Sequence, residues 1–169
     1  LAFRDFNPSA LTPLERLVAE SVTPRQAILR LEARAAGLRG VVFLDGDGCI
    51  GAVSFFAACP ALCATHHLVV FLAPRYYPRP LQDHAGQAWM SIVVAPYAEK
   101  NAADVDFIAT AVAACILLPG APIPFYLAAA DHFADALKIR LDELKVRESV
   151  VLDPPDFEAR FRALAAPPY

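Results

Sequence analysis

Charge is scarce in this chain. Asp, Glu, Lys and Arg make up 20% of its 169 residues, against 57% hydrophobic residues, and the formal net charge is -3. That acidic balance excludes the basic footprint of a general nucleic-acid binder. It leaves room for an enzyme that holds nucleic acid through metal ions and a few local cations. Cysteine is limited to Cys49, Cys59, Cys63 and Cys115, and no pair has the C-x2-C spacing of a zinc site. In their apolar company they read as buried free thiols, which places the chain in an intracellular, reducing compartment. His66, His67, His84 and His132 show no H-x3-H spacing. No apolar run is long enough for a membrane span. Internal repeats and low-complexity linkers are also missing. The chain opens on Leu rather than Met, the start expected of a trimmed piece.

What the chain has in surplus is apolar residues. Its length favours one domain, large enough to bury a core without staples. The excess predicts a protein partner that covers part of the surface. Thr12-Pro13-Leu14-Glu15 and Thr23-Pro24-Arg25-Gln26 have the form of capping boxes with Pro at the first helical position, and predict helices over 13–20 and 24–37. Ile28, Leu29, Leu31 and Ala35 of the second are expected to face the body. Continuous apolar runs at 41–44, 68–73, 91–95, 123–128 and 149–152 read as strands buried on both faces. Helix-like stretches lie between and after them, at 50–58, 101–118, 131–144 and 155–166, while 74–89 reads as a loop. The alternation predicts an α/β fold, a three-layer α/β/α sandwich on a mostly parallel five-stranded sheet. Residues 1–40 are expected as an N-terminal helical extension and 41–169 as the domain proper.

Ligands of open parallel sheets bind outside the carboxyl ends of the strands. Asp45 ends the first strand, Asp104 lies in the first turn of the helix after the third, and Asp131 follows the fourth. Asp47 and Asp106 sit close behind. Each has a structural reading: Asp131 as a helix cap, Asp104 as support for a cap at Asn101, Asp45 and Asp47 as shapers of a turn. Together they predict a site, because clustered carboxylates repel one another and a divalent cation relieves that cost. Mg2+ or Mn2+, which favour oxygen ligands, are the expected cofactors.

Three blocks then bear a resemblance. Val41-Val42-Phe43-Leu44-Asp45-Gly46-Asp47 resembles the opening strand of PIN-like domains of the NYN type, which ends in Asp-Gly-x-Asn. Lys100-Asn101-Ala102-Ala103-Asp104-Val105-Asp106-Phe107-Ile108 resembles their second block, a Lys and an Asp opening a helix. Pro124-Phe125-Tyr126-Leu127-Ala128-Ala129-Ala130-Asp131-His132-Phe133 resembles their third, a strand followed by Ser-x-Asp-x-Asp-Phe. The resemblance runs from about residue 41 to residue 153. It implies a metal-dependent ribonuclease with Asp45, Asp104 and Asp131 as metal ligands and catalytic residues, Lys100 as the basic residue beside them, and Asp47, Asp106 and Asp135 in support. Single-stranded RNA is the implied substrate. Gly48 stands where the pattern has Asn, Ala129 where it has Ser, and Phe133 where it has the second Asp, with Asp135 two positions on. These departures keep open a degenerate copy that binds RNA or serves as a scaffolding subunit.

Asp45-Gly46-Asp47-Gly48-Cys49-Ile50 also resembles the Asp-x-Asp-Gly-Thr motif of haloacid-dehalogenase-like phosphatases. There Asp45 would be the nucleophile and Asp47 the general acid. Leu72-Ala73 offers no Ser or Thr where that family places one. Arg75-Tyr76-Tyr77-Pro78-Arg79 interleaves cations with aromatics. It reads as a Pro-rich loop or as a stretch where Arg75 and Arg79, with Lys100, hold phosphates while rings stack on bases. Lys138, Arg140, Lys145 and Arg147 are expected to balance acids on a solvated helix.

Overall fold

Each of the five apolar runs read as strands enters one parallel sheet. The computed structural model describes residues 11–99, 101–118 and 122–167. Its strands are β1 (Ser21–Val22), β2 (Gly40–Asp45), β3 (His66–Leu72), β4 (Met90–Val94), β5 (Phe125–Ala128) and β6 (Ser149–Leu152), in the order β1-β4-β3-β2-β5-β6. All neighbours run parallel. Around them lie α1 (Pro13–Glu20), α2 (Pro24–Arg34), α3 (Gly46–Cys49), α4 (Ala52–Ala57), α5 (Pro60–Thr65), α6 (Arg79–His84), α7 (Ala102–Leu117), α8 (Phe133–Leu144) and α9 (Phe157–Ala165).

The α/β class and the layered arrangement are as the sequence predicts. β2 and β3 are buried along their whole length, because helices cover both faces. Alternate residues feed two cores. Val41, Phe43, Val69, Phe71, Phe125 and Leu127 pack with α2, α7 and α8. Val42, Leu44, Leu68, Val70 and Leu72 pack with α1, α4, α6 and α9 on the other face.

Among the described residues the sheet has six strands rather than five. β1 is two residues long and pairs Ser21 with Ile92 and Val22 with Val93 at one edge. Two residues between two capping boxes carry no periodicity, so pattern alone passes over them. Both capping boxes form as expected, Thr12 with Glu15 and Thr23 with Gln26. Within residues 1–40 the described part is built into the fold: β1 joins the sheet and Ala27, Ile28 and Leu31 of α2 enter the core. Leu29 instead points outward, 52% exposed.

The stretch 74–89 is not all loop. α6 starts at Pro78-Arg79-Pro80, where proline suits the first helical turn, and buries Leu81. α5 begins in the same way at Pro60. Among the described residues no helix is long and apolar enough to cross a membrane.

Strand order reverses at β2. The chain builds β3 and β4 on one side of it, then crosses back through α7 to place β5 and β6 on the other. Such a switch point leaves a crevice at the carboxyl ends of the central strands.

Candidate functional site

The crevice is brought about by aromatic packing. Phe43 lies 6.1 Å from Phe107 of α7, ring centre to ring centre. Asp45 is two residues further along β2 on the same face, and Asp104 lies one turn back toward the start of α7. The Phe43–Phe107 contact therefore carries the two carboxylates to one edge. Phe107 also meets Phe133 edge-on at 5.1 Å, which brings the start of α8, and with it Asp131, to the same place.

An open cavity of about 280 Å³ lies there, lined by Asp45, Asp47, Gly48, Ala73, Glu99 and Asp104 among others. Asp45 is buried, with 8% of its surface exposed. Burial pushes its pKa up, and the charges of Asp47 and Asp131 push further, while the amides of Gly48 and Asp47 pull it back. Asp45 stands at the N-cap position of α3, beside those amides. Asp104 is raised to about 6, by burial first and then by Asp45, Asp131 and Asp47. Asp45 and Asp104 thus each sense carboxylates from other, distant segments across the edge.

Neither Asp104 nor Asp131 is used as a cap. α8 has His132 at its N-cap position with no side-chain bond, and α7 has Asn101, likewise without one. Nor does an ion pair among the described residues involve Asp45, Asp47, Asp104 or Asp131. Asp47 is engaged locally. Its carboxylate accepts from the Ala73 amide at 2.9 and 3.1 Å and ties α3 to the end of β3.

Other candidates fall elsewhere. Asp106 is raised by burial alone, so the cluster does not reach it. Asp135 is exposed, 3.8 Å from His132 on the surface of α8. Arg79 opens α6 and pairs with Asp83 at 3.0 Å. Arg75 is exposed in the loop after β3. Lys100 lies outside the described residues. Glu99 also lines the cavity; its signal in the sequence is only its place in the loop after β4, at the edge where ligands bind.

The set suits a hard divalent cation, since its side-chain donors are carboxylate oxygens and their mutual repulsion is relieved by positive charge. Among the described residues no three His, Cys, Asp or Glu side chains already stand together at ligand spacing. The Cys49 thiol beneath is raised to about 11, by burial and then by Asp45, so it stays protonated.

A second polar constellation is structural. His67 is fully buried and bonded to Ser91 at 2.8 Å through Nε2, as in a nucleophile and its base. Arg34 faces Nδ1 of the same ring at 2.8 Å. A guanidinium only donates, so Nδ1 accepts and Nε2 carries the proton that Ser91 receives. The ring cannot take a proton from Ser91, and burial, Arg34 and Arg30 hold its pKa down at about 3.

Compared with known proteins, the chain matches no family model, no curated protein and no solved structure.

Proposed function

We propose that this chain is a PIN-like domain of the NYN type whose Asp45, Asp104 and Asp131 hold Mg2+ or Mn2+ for hydrolysis of RNA phosphodiester bonds. The observation that supports the reading is the convergence of carboxylates from three segments on the carboxyl edge of β2, close enough to raise the pKa of Asp45 and Asp104. A bound divalent ion supplies charge stabilisation at the phosphate and a more acidic water. The chain's own part is to hold the oxygen donors in place. Asp45 is fixed by the buried end of β2, and Asp104 by the first turn of α7. The Asp47–Ala73 bond secures the floor between them. Gly48 leaves space over Asp45, where an added Cβ would lie 3.2 Å from the carboxylate.

The test is cleavage of single-stranded RNA with and without Mn2+, beside Asp104→Asn and Asp131→Asn. Cutting is expected to require the ion. Each variant should lose at least the roughly 10–100-fold that removal of an outer-sphere partner costs. Equal cutting by parent and Asp104→Asn would remove that residue from the site. Trapping of an aspartyl-phosphate on Asp45 would favour the phosphatase reading.

One observation favours a second reading, a degenerate copy that binds RNA without cutting it. Phe133, at the position of the second Asp of the third block, packs its ring on Phe107. The acidic edge is one carboxylate poorer there. Ion binding by calorimetry without cleavage is the outcome that selects this reading.

A further inference from the structure

Without a bound cation the acidic cavity cannot attract a polyanion by charge. Asp45, Asp47, Glu99 and Asp104 all line it, and the whole chain is net negative. A single strand that reaches it needs a grip that does not depend on phosphate charge. Base faces offer one, since aromatic side chains stack on any base.

Two exposed aromatics stand on the right edge. β3 and β4 are parallel neighbours, with Leu72 opposite Val94, so their following loops leave side by side. Ala73 lines the cavity and Tyr76 follows it in the first loop, while Glu99 lines the cavity and Tyr97 precedes it in the second. Tyr76 is 38% exposed and Tyr97 59%. The same two loops hold two of the three non-glycine residues found in left-handed backbone among the described residues, Arg75 at φ 64° and Asn101 at φ 66°. Such a conformation is costly for arginine, and strain of this kind concentrates at ligand sites.

We propose that Tyr76 and Tyr97 form a stacking lip that holds the bases of single-stranded RNA at the mouth of the acidic cavity. The inference rests on the nucleic-acid reading of that cavity. Arg75, exposed and next to Tyr76 in the chain, adds one phosphate contact. Binding through the lip is therefore weakly salt-dependent and demands unpaired bases.

The experiment is fluorescence anisotropy of a short labelled oligouridine and of a labelled RNA duplex, with the full chain and no divalent ion. Tyr76→Ala and Tyr97→Ala are each expected to weaken oligouridine binding roughly 5- to 100-fold, the range for loss of one stacked base. Tyr97→Phe keeps the ring face and should bind like the parent. The plot of log affinity against log salt should have a slope near about -0.7, as for about one phosphate contact on a single strand. The lip is overturned if the Ala variants bind like the parent, if Tyr97→Phe loses as much as Tyr97→Ala, or if the duplex binds as tightly as the single strand. A slope several times steeper would overturn it as well. The two readings fail separately. Ala variants that lose binding, in a protein that never cuts, sink hydrolysis and leave the lip. Ala variants that bind normally, in a protein that cuts, sink the lip alone.

Discussion

Asp104 carries the clearest consequence at the scale of one residue. Its pKa in the folded chain, about 6, is above the ordinary 3.8. A raised carboxyl pKa means that the folded state binds the proton more tightly than the unfolded one. The stability it gives is complete below about pH 3.8 and is lost as pH rises through 6. Asp104→Asn should therefore be more stable than the parent at about pH 8 and no different at about pH 3.5. Solvent screening around a partly exposed carboxylate keeps the gain to about 1 kcal/mol. Urea unfolding at the two pH values measures it, and an equal gain at both would refute the assignment. Gly46 acts by having no side chain. A Cβ there would lie 2.8 Å from the Phe71 carbonyl and 2.6 Å from a Leu72 methyl. The Asp-Gly pair at the end of β2 was legible in the sequence as a turn. The reason for its glycine, a close approach to β3, was not, because β3 is distant in the chain.

Among the elements, α7 sets the site through Phe107 at one end and is fastened by Arg147 at the other. The charge pattern predicts Arg147 on a solvated surface beside Lys138, Arg140 and Lys145. It is buried instead, donating to the carbonyls of Cys115, Leu118 and Ile123 at 3.1–3.3 Å, with its guanidinium 4.8 Å from the centre of the Phe125 ring. It satisfies carbonyls that the end of a helix leaves free, and its charge suits the negative end of the helix dipole. Lys138 and Arg140 do meet acids, Asp142 and Glu143. A local charge pattern cannot tell these cases apart, since the partners of Arg147 are backbone atoms up to 32 residues away. Arg147→Met should cost about 3 kcal/mol and Arg147→Lys about 1–2 kcal/mol, since lysine keeps the charge and loses the planar fork. Denaturant midpoints compare them, and a Met variant as stable as the parent would contradict the fastening role.

For the molecule as a whole, the apolar surplus fills two cores and leaves exposed apolar side chains outside them. Leu29 of α2, Val105, Ile116 and Leu117 of α7, and Ile139 of α8 are all at least half exposed on the layer that covers one side of the sheet. Inside, His66 and His67 are buried at the start of β3, with pKa values lowered to about 4 and about 3, burial being the main cause. An imidazole held neutral by folding contributes stability that is complete above about pH 6.5 and is lost as pH falls toward the folded value. This slope is opposite in sign to that of Asp104. His67 is the more deeply buried group, so the chain should lose stability on acidification from about pH 6.5 to about 4.5. His67→Gln should flatten that loss, whatever its effect at neutral pH. Thermal midpoints across the range check it, and an unchanged slope in the variant would rule out His67 as the source.

The sequence by itself determined the helices begun by Thr-Pro caps, the buried strands, the layered α/β class and the placing of Asp45, Asp104 and Asp131 at or just past strand ends. Each of these follows from neighbours in the chain: a capping residue, a run of side chains, a turn. Only the tertiary structure decided that β1 is an edge strand, that Glu99 lines the cavity, that Asp106 and Asp135 stand outside the cluster, and that Asp47 is bonded to Ala73. Those outcomes depend on which strand pairs with which and on how Phe43, Phe107 and Phe133 pack. The burial and mutual repulsion that raise the Asp45 and Asp104 pKa values exist only once that packing has formed.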